Sequence, residues 1–176
     1  MTFCVQNIDI RPQYEVFATN TKKTLNVTSQ TQLKTNWCWN TCISMTYKYI
    51  TGKNKSQESI YKTWFGKNGN EAASLIAMER TAEAIGLNAS MKTSHLSFND
   101  IVKQIDKGQP IIARRFSTNK NNKIGHGYLI IGYNKTKKTI TVIDPANGKR
   151  CTGTYSSFVN DGKYKWESTL YNLRKK

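Results

Sequence analysis

The sequence has few histidines, few prolines and no long apolar run. The three prolines and the absence of repeats among 176 residues exclude a disordered or low-complexity chain. No stretch approaches the roughly 20 apolar residues that a membrane span requires, and the segment MTFCVQNIDIRPQYEV lacks the apolar core of a signal peptide. We therefore expect no membrane span, and a chain that either is cytoplasmic or has lost a leader.

Acidic residues are scarce relative to basic ones. The chain has 11 Asp and Glu against 27 Lys and Arg, which gives a formal net charge of +16. This surplus favours attraction to an anionic surface or partner. However, the lysines are scattered among asparagines and threonines in loop-like stretches such as TNTKKT and TNKNNK, whereas a specific nucleic-acid binder concentrates arginines and aromatic residues on one element. We expect no specific nucleic-acid binding.

Cysteine is also sparse, and its number leaves several roles open. The four cysteines are Cys4, Cys38, Cys42 and Cys151. They could form two disulfides in an oxidising compartment, but Cys38 and Cys42 would project from one helix face, which is poor geometry for a mutual bridge. A zinc site would need a second pair of ligands, and His95 and His126 are the only histidines. We predict no metal and no cofactor.

The order of the predicted elements indicates an α+β fold. Two β-like runs, residues 13–19 and 24–30, precede four helices predicted over residues 38–51, 56–65, 71–87 and 98–107. After Pro110 the β-branched and aromatic runs IIARRF, HGYLIIGYN and TITVID predict strands, and CTGTYSSF and KWESTLYNL add further strands or a short helix.

The length of the chain fits one domain. We assign residues 1–176 to that domain, with residues 1–24 as an N-terminal extension or edge strand. Helices followed by antiparallel strands predict two layers, an N-terminal helical half packed against a C-terminal antiparallel sheet. The seam between the two layers is a natural place for a cleft.

Cys38 is the candidate nucleophile because it lies where the first predicted helix begins. Unpaired N–H groups and the helix dipole stabilise a thiolate at such a position. The alternatives are a disulfide or simple burial, which is the commoner role of a single cysteine. Cys42 lies one turn deeper on the apolar face, so we predict that it packs beneath Cys38.

A nucleophilic thiol needs a base, and the base needs an orienting group. His95 stands in the polar loop KTSHLS, where we expect a solvated surface role. His126 begins an apolar strand between two glycines and is the better candidate. Asp144 ends the following strand, and the start of one antiparallel strand neighbours the end of the next. We therefore predict that His126 and Asp144 lie side by side, although Asp144 could instead only form a turn.

An acyl-transfer site also needs donors for the developing oxyanion. The Cys38 backbone N–H is one candidate and the Gln32 side-chain amide is another. A glutamine taken alone is far more often a surface residue. Evidence for an acyl-transfer site is stronger from four residues together than from any one of them. These are Gln32, Cys38, His126 and Asp144.

The order and spacing of these residues resemble the papain-like cysteine protease superfamily. QLKTNWCWNTCISM is similar to the motif of papain-like effector proteases of plant-pathogenic bacteria. KGQPIIARR, GHGYLIIGYN and ITVIDPANG are similar to double-glycine, bacteriocin-processing peptidases. The resemblance implies a papain-like fold, with Cys38 as nucleophile, His126 as general base and acid, Asp144 as orienting group and Gln32 as oxyanion donor.

The leading hypothesis is a cysteine peptidase that acts through a thioacyl-enzyme on a protein or peptide substrate. The resemblance further implies a bacterial effector-type protease that is secreted or translocated, with a cytoplasmic location as the alternative. Separately, we expect a monomer. A deamidase or transglutaminase-type toxin would use the same triad. A non-catalytic binding module with a basic docking surface is the third hypothesis.

Overall fold

A computed structural model describes residues 21–176 of the chain. The helices are α1 (Cys38–Thr51), α2 (Gln57–Phe65), α3 (Leu75–Ala84), α4 (Phe98–Asp106) and α5 (Tyr155–Val159). The strands are β1 (Lys22–Thr24), β2 (Leu87–Lys92), β3 (Ile111–Ser117), β4 (Gly125–Asn134), β5 (Thr139–Asp144), β6 (Lys149–Thr154) and β7 (Tyr164–Lys175). The α+β prediction is confirmed.

Capping residues determine where several of the helices begin and end. The hydroxyls of Ser56, Ser74 and Ser97 each accept the N–H of the residue three positions later, at the starts of α2, α3 and α4. Gly52 ends α1 in the left-handed conformation, with φ 70°. The helix predicted within residues 71–87, with Gly86 as its end, begins too early, because the Ser74 cap starts α3 after residues 71–74.

The observed strands differ from the predicted ones at residues 24–30 and at β2. The β-like run at residues 13–19 lies outside the described residues. The strand predicted over residues 24–30 is wrong, because β1 ends at Thr24, the last residue in register with β4. Leu25 and Val27 are nevertheless buried, and the Leu25 N–H donates to the Ile131 carbonyl at 2.7 Å. β2 was not predicted, because only Leu87 of its six residues is buried and the sequence LNASMK lacks an alternating apolar pattern.

The strands form one antiparallel sheet in the order β2-β7-β3-β4-β5-β6, with β1 paired to the end of β4. The long strand β7 lies between β2 and β3, although it comes last in the described chain. In the β3–β4 pair, Arg114 is opposite Gly127 and Arg115 is opposite His126. Helix α1 packs against β4, which brings the start of the helix next to the start of the strand.

The close approach of β1 to β4 depends on the missing side chain of Gly132. A Cβ at this position would lie 2.7 Å from Thr24 Oγ1 and 2.8 Å from the Lys23 carbonyl oxygen, which belongs to the backbone. We expect Gly132→Ala to lower the free energy of unfolding by about 1–3 kcal/mol, because β1 must move to admit the methyl group. Denaturant unfolding measures this change.

Gly153→Ala is the matched control, since a Cβ on this exposed residue of β6 meets nothing within 4 Å. Its effect should stay within about 0.5 kcal/mol. Equal unfolding midpoints for the two variants would contradict the proposed contact between β1 and Gly132.

Candidate active site

Cys38 is the first residue of α1, and its two tryptophan neighbours fix its orientation. Trp37 and Trp39 are buried, and the Trp37 ring stacks on Tyr61 with 5.0 Å between the ring centroids. Cys38 itself is only half-buried. The helix has no side-chain cap at Trp37. The first N–H groups of α1 therefore receive no capping oxygen from that residue.

The loop before Cys38 is held by the buried side chain of Gln57 in α2. Its Oε1 accepts the Leu33 N–H at 3.1 Å, and its Nε2 donates to the Thr31 carbonyl at 3.0 Å. Asn40 of α1 donates to the Gln57 backbone carbonyl at 2.6 Å. Sequence reasoning did not find this network, because nothing in the local pattern marks Gln57 as buried.

His126 and Asp144 are in contact, as the antiparallel pairing of β4 and β5 predicts. His126 Nε2 lies 2.7 Å from Asp144 Oδ1, and the same oxygen accepts the Ala146 N–H at 2.9 Å. Asp144 thus forms the turn after β5 and also holds the imidazole, so the two interpretations of this residue are compatible. The Tyr128 ring packs edge-on against His126, with 4.7 Å between the centroids.

The Cys38 thiol lies beside His126 in the same cleft. Burial tends to raise the pKa of this thiol, but the hydrogen bond with His126, the Gly127 N–H, the charge of His126 and the Trp39 N–H together hold the pKa below its ordinary value. Gly127 lies next to the start of α1. A Cβ there would lie 3.8 Å from Cys38 Sγ.

The pKa of His126 is displaced in the opposite direction. Burial acts to lower it, but hydrogen bonds with Cys38 and Asp144, reinforced by their charges, raise the pKa above the ordinary value of imidazole. A lowered thiol pKa beside a raised imidazole pKa favours proton transfer from Cys38 to His126. The arrangement can therefore hold a thiolate next to an imidazolium.

Cys42 is fully buried one turn below Cys38, as predicted. Burial, together with the charges of Cys38 and Asp144, raises its pKa well above the ordinary value, so the group stays a neutral thiol. Cys38, Cys42 and Cys151 are all free thiols, and Cys4 lies outside the described residues.

Gln32 lies near the site, but its amide is engaged elsewhere. Its Nε2 donates to the Lys34 carbonyl at 2.9 Å and to the Thr35 carbonyl at 2.7 Å. Its backbone N–H donates to the Pro145 carbonyl at 2.7 Å, which ties the loop before α1 to the turn after Asp144. A role as oxyanion donor stays a prediction, and it requires one of the two side-chain bonds to be exchanged for substrate.

His95 does not have the solvated position that its local sequence predicts. It is half-buried, with its ring 6.1 Å from the Trp166 ring and 6.5 Å from the Tyr155 ring, measured between centroids. Both partners come from the C-terminal part of the chain, so the local sequence KTSHLS gives no sign of them. His126 is the histidine that contacts Cys38.

A cleft of about 200 Å³ opens beside Cys38 and His126. One wall is formed by Trp39, Ala72 and Ala73, and Trp39 Nε1 donates to the Glu71 carbonyl at 3.3 Å. The opposite wall comes from β3, β4 and the loop between them and consists of Arg114, Phe116, Lys123, Gly125 and Gly127. The cleft thus lies between the helical layer and the sheet, as predicted, but the two basic residues in it were not singled out from the sequence.

No metal site or membrane helix occurs in the part of the chain that the structure describes. Within residues 21–176, no group of three or more His, Cys, Asp or Glu side chains is placed to hold a metal ion. None of the helices in that range is long and apolar enough to cross a membrane.

Solved structures of bacterial cysteine peptidases share this fold. The peptidase domain of Streptococcus ComA, a bi-functional ABC transporter, is 15% identical, with a TM-score of 0.63 over 85% of this chain and 99% of that one. A double glycine motif protease from an AMS/PCAT transporter, in complex with its leader peptide, is 16% identical, with a TM-score of 0.61 over 87% and 94%. Xylellain, a cysteine protease from Xylella fastidiosa, is 10% identical, with a TM-score of 0.65 over 90% and 87%.

The comparison of sequences gives the family. No curated protein matches the chain. The model of the Peptidase_C39 like family matches residues 24–172, which include Cys38, His126 and Asp144. Because this match spans most of the sequence, the chain belongs to the Peptidase_C39 like family and is a papain-like cysteine protease.

Proposed function

We propose that this protease cleaves peptide bonds with a Cys38–His126–Asp144 triad through a thioacyl-enzyme intermediate. The observation that carries the proposal is that Cys38 and His126 line the same open cleft, with the His126 ring 2.7 Å from the Asp144 carboxylate. The opposed pKa shifts of Cys38 and His126 support a charged pair that exists before substrate binds.

In the acylation step the Cys38 thiolate forms a bond to the substrate carbonyl carbon, and the carbonyl π electrons move to the oxygen. The oxyanion then collapses, the C–N bond breaks, and the proton on His126 passes to the departing amine nitrogen. Asp144 accepts the other N–H of the imidazole throughout, which keeps the ring oriented and stabilises its charged form. The product of this step is a thioester on Cys38 and a neutral His126.

In the deacylation step neutral His126 takes a proton from a water molecule as its oxygen attacks the thioester carbonyl. The S–C bond breaks, the carboxylic acid leaves, and the thiolate–imidazolium pair is restored. Each oxyanion needs fixed donors. The uncapped start of α1 supports the Cys38 N–H as the first donor, and Gln32 is the second once one of its carbonyl bonds is exchanged.

A protein or peptide is the proposed substrate. The cleft is open at the surface, and one structural neighbour holds a leader peptide. The basic surface favours acidic partners or anionic surfaces. A monomeric state, a bacterial effector role and secretion or translocation stay predictions from the sequence.

The pH dependence of iodoacetamide labelling tests the charged pair directly. Thiolate reacts and thiol does not, so labelling of Cys38 should rise with pH through a midpoint below the value of about 8.5 for a free thiol. His126→Ala should raise that midpoint, because burial would still raise the pKa of Cys38 while its main opposing contact is gone. Peptide mass spectrometry reads the labelling of each cysteine.

The same digest contains two internal controls. Cys151 is exposed and should be labelled, and buried Cys42 should stay unlabelled in the folded protein. A Cys38 that is no more reactive than Cys151 at neutral pH, or that is indifferent to His126→Ala, would refute the proposed pair.

A further inference from the structure

Two adjacent arginines in β3 have opposite environments. Arg115 faces away from Cys38 and is buried, and its guanidinium is neutralised by Asp161 at 2.8 Å. Arg114 lies opposite Gly127 and lines the cleft with Cys38 and His126. Among residues 21–176, no carboxylate forms an ion pair with Arg114. A half-buried guanidinium without a counter-ion therefore faces the site where substrate must bind.

The guanidinium of Arg114 is held in a fixed position. One of its nitrogens donates to the Ala73 carbonyl at 3.2 Å, across the cleft, and its carbon lies 5.0 Å from the centre of the Phe116 ring. An arginine has five N–H donors, so the Ala73 bond leaves others for a ligand. A cation that is partly removed from water without a partner is costly, and an acidic ligand would offset that cost.

The other charged groups around Arg114 do not neutralise it. Lys123 is exposed and pairs with Glu167 at 3.3 Å, so these two charges offset each other at the cleft rim. The Glu71 carboxylate accepts the Asn70 N–H at 2.8 Å. The remaining titratable groups in the cleft are Cys38 and His126, and the charge of Cys38 acts on Arg114. The Arg114 cation thus lies within electrostatic range of the reacting sulfur.

We propose that Arg114 is a specificity residue, and that the preferred substrate carries Asp or Glu within a few residues of the scissile bond, with its carboxylate paired to the Arg114 guanidinium. This inference rests on the proposed peptidase function and names its substrate class. A guanidinium fork donates two parallel hydrogen bonds to the oxygens of one carboxylate. The neutral amide of Asn or Gln has the same shape but lacks the charge. The site should therefore bind Asp more tightly than Asn, and Glu more tightly than Gln.

Peptidyl vinyl sulfones, which alkylate a reactive thiol without turnover, test the inference. The probes carry alanine at every position except one, which is Glu or Gln, placed in turn at each of the three residues before the reactive group. The measurement is the rate of labelling at Cys38, read by mass spectrometry. At one position the Glu probe should react about tenfold faster than the Gln probe. The ratio of the two rates is independent of the intrinsic reactivity of the thiolate.

Variants assign the preference to Arg114. Arg114→Gln should bring the ratio of rates to about one, and Arg114→Lys, which keeps the charge but not the fork, should give an intermediate ratio. Arg80→Gln removes the same charge from an exposed position on α3 and should leave the ratio unchanged. Circular dichroism checks the fold, and Arg114→Lys carries the test if Arg114→Gln does not fold.

The outcomes separate this inference from the proposed function. Equal rates for Glu and Gln probes at all three positions, or a preference that survives Arg114→Gln, would overturn the role of Arg114 while leaving the peptidase intact. Failure of every probe to label Cys38 faster than Cys151 would overturn both.

Discussion

Cys38→Ala should reduce peptide cleavage by at least about 10⁴-fold, because no other group near His126 can form the thioester. The described thiols other than Cys38 are Cys42, which is fully buried, and Cys151, which is absent from the cleft lining. Cleavage of a mixed peptide library, followed by mass spectrometry, measures the loss whatever the natural substrate is. Assay of released ammonia on the same samples distinguishes peptide cleavage from deamidation of glutamine.

Cys151→Ala is the matched control, since it removes an exposed thiol outside the cleft and should retain full cleavage. Both variants should unfold at nearly the same temperature as the parent chain, because neither substitution leaves a large cavity. A Cys38→Ala protein that still cleaves peptides at the parent rate would contradict the assignment of the nucleophile.

Asp144→Asn should lower kcat by about 10²- to 10⁴-fold while the fold is retained. The asparagine oxygen can still accept the Ala146 N–H, so the turn after β5 is kept. The negative charge beside His126 is lost, and with it one of the interactions that raise the pKa of this residue. The charged pair should then lose its proton at a lower pH, so the alkaline limb of the pH–rate profile should move to lower pH.

Asp100→Asn serves as the control for loss of a carboxylate, since Asp100 lies in the first turn of α4 and does not line the cleft. It should leave kcat and the alkaline limb unchanged. An Asp144→Asn enzyme with parental kcat, or with its alkaline limb shifted upward, would show that Asp144 is only a turn residue.

Much of the fold follows from local chemistry along the chain. The serine caps and terminal glycines delimit α1, α2 and α4, and the apolar runs after Pro110 identify β3, β4 and β5. The hairpin between β4 and β5 also allowed the contact of His126 with Asp144 to be predicted, because antiparallel pairing fixes which strand ends meet.

The remaining features depend on partners that are distant in sequence. β2 is a strand because it pairs with β7, and its own residues carry no strand pattern. His95 is half-buried because Trp166 reaches it from β7. Neither the position of the Arg114 guanidinium nor the engaged amide of Gln32 can be deduced from spacing, because both depend on where neighbouring carbonyl groups lie.

The central place of β7 in the sheet bears on when the protein acquires its activity during synthesis. β3 carries Arg114 and supports β4, which carries His126, but one edge of β3 stays unpaired until residues 164–175 have left the ribosome. Because the contacts of β7 with β2 and β3 span long stretches of chain, they form late in folding. A nascent chain that already contains every residue of the proposed triad therefore still lacks the strand that completes the sheet beside β3.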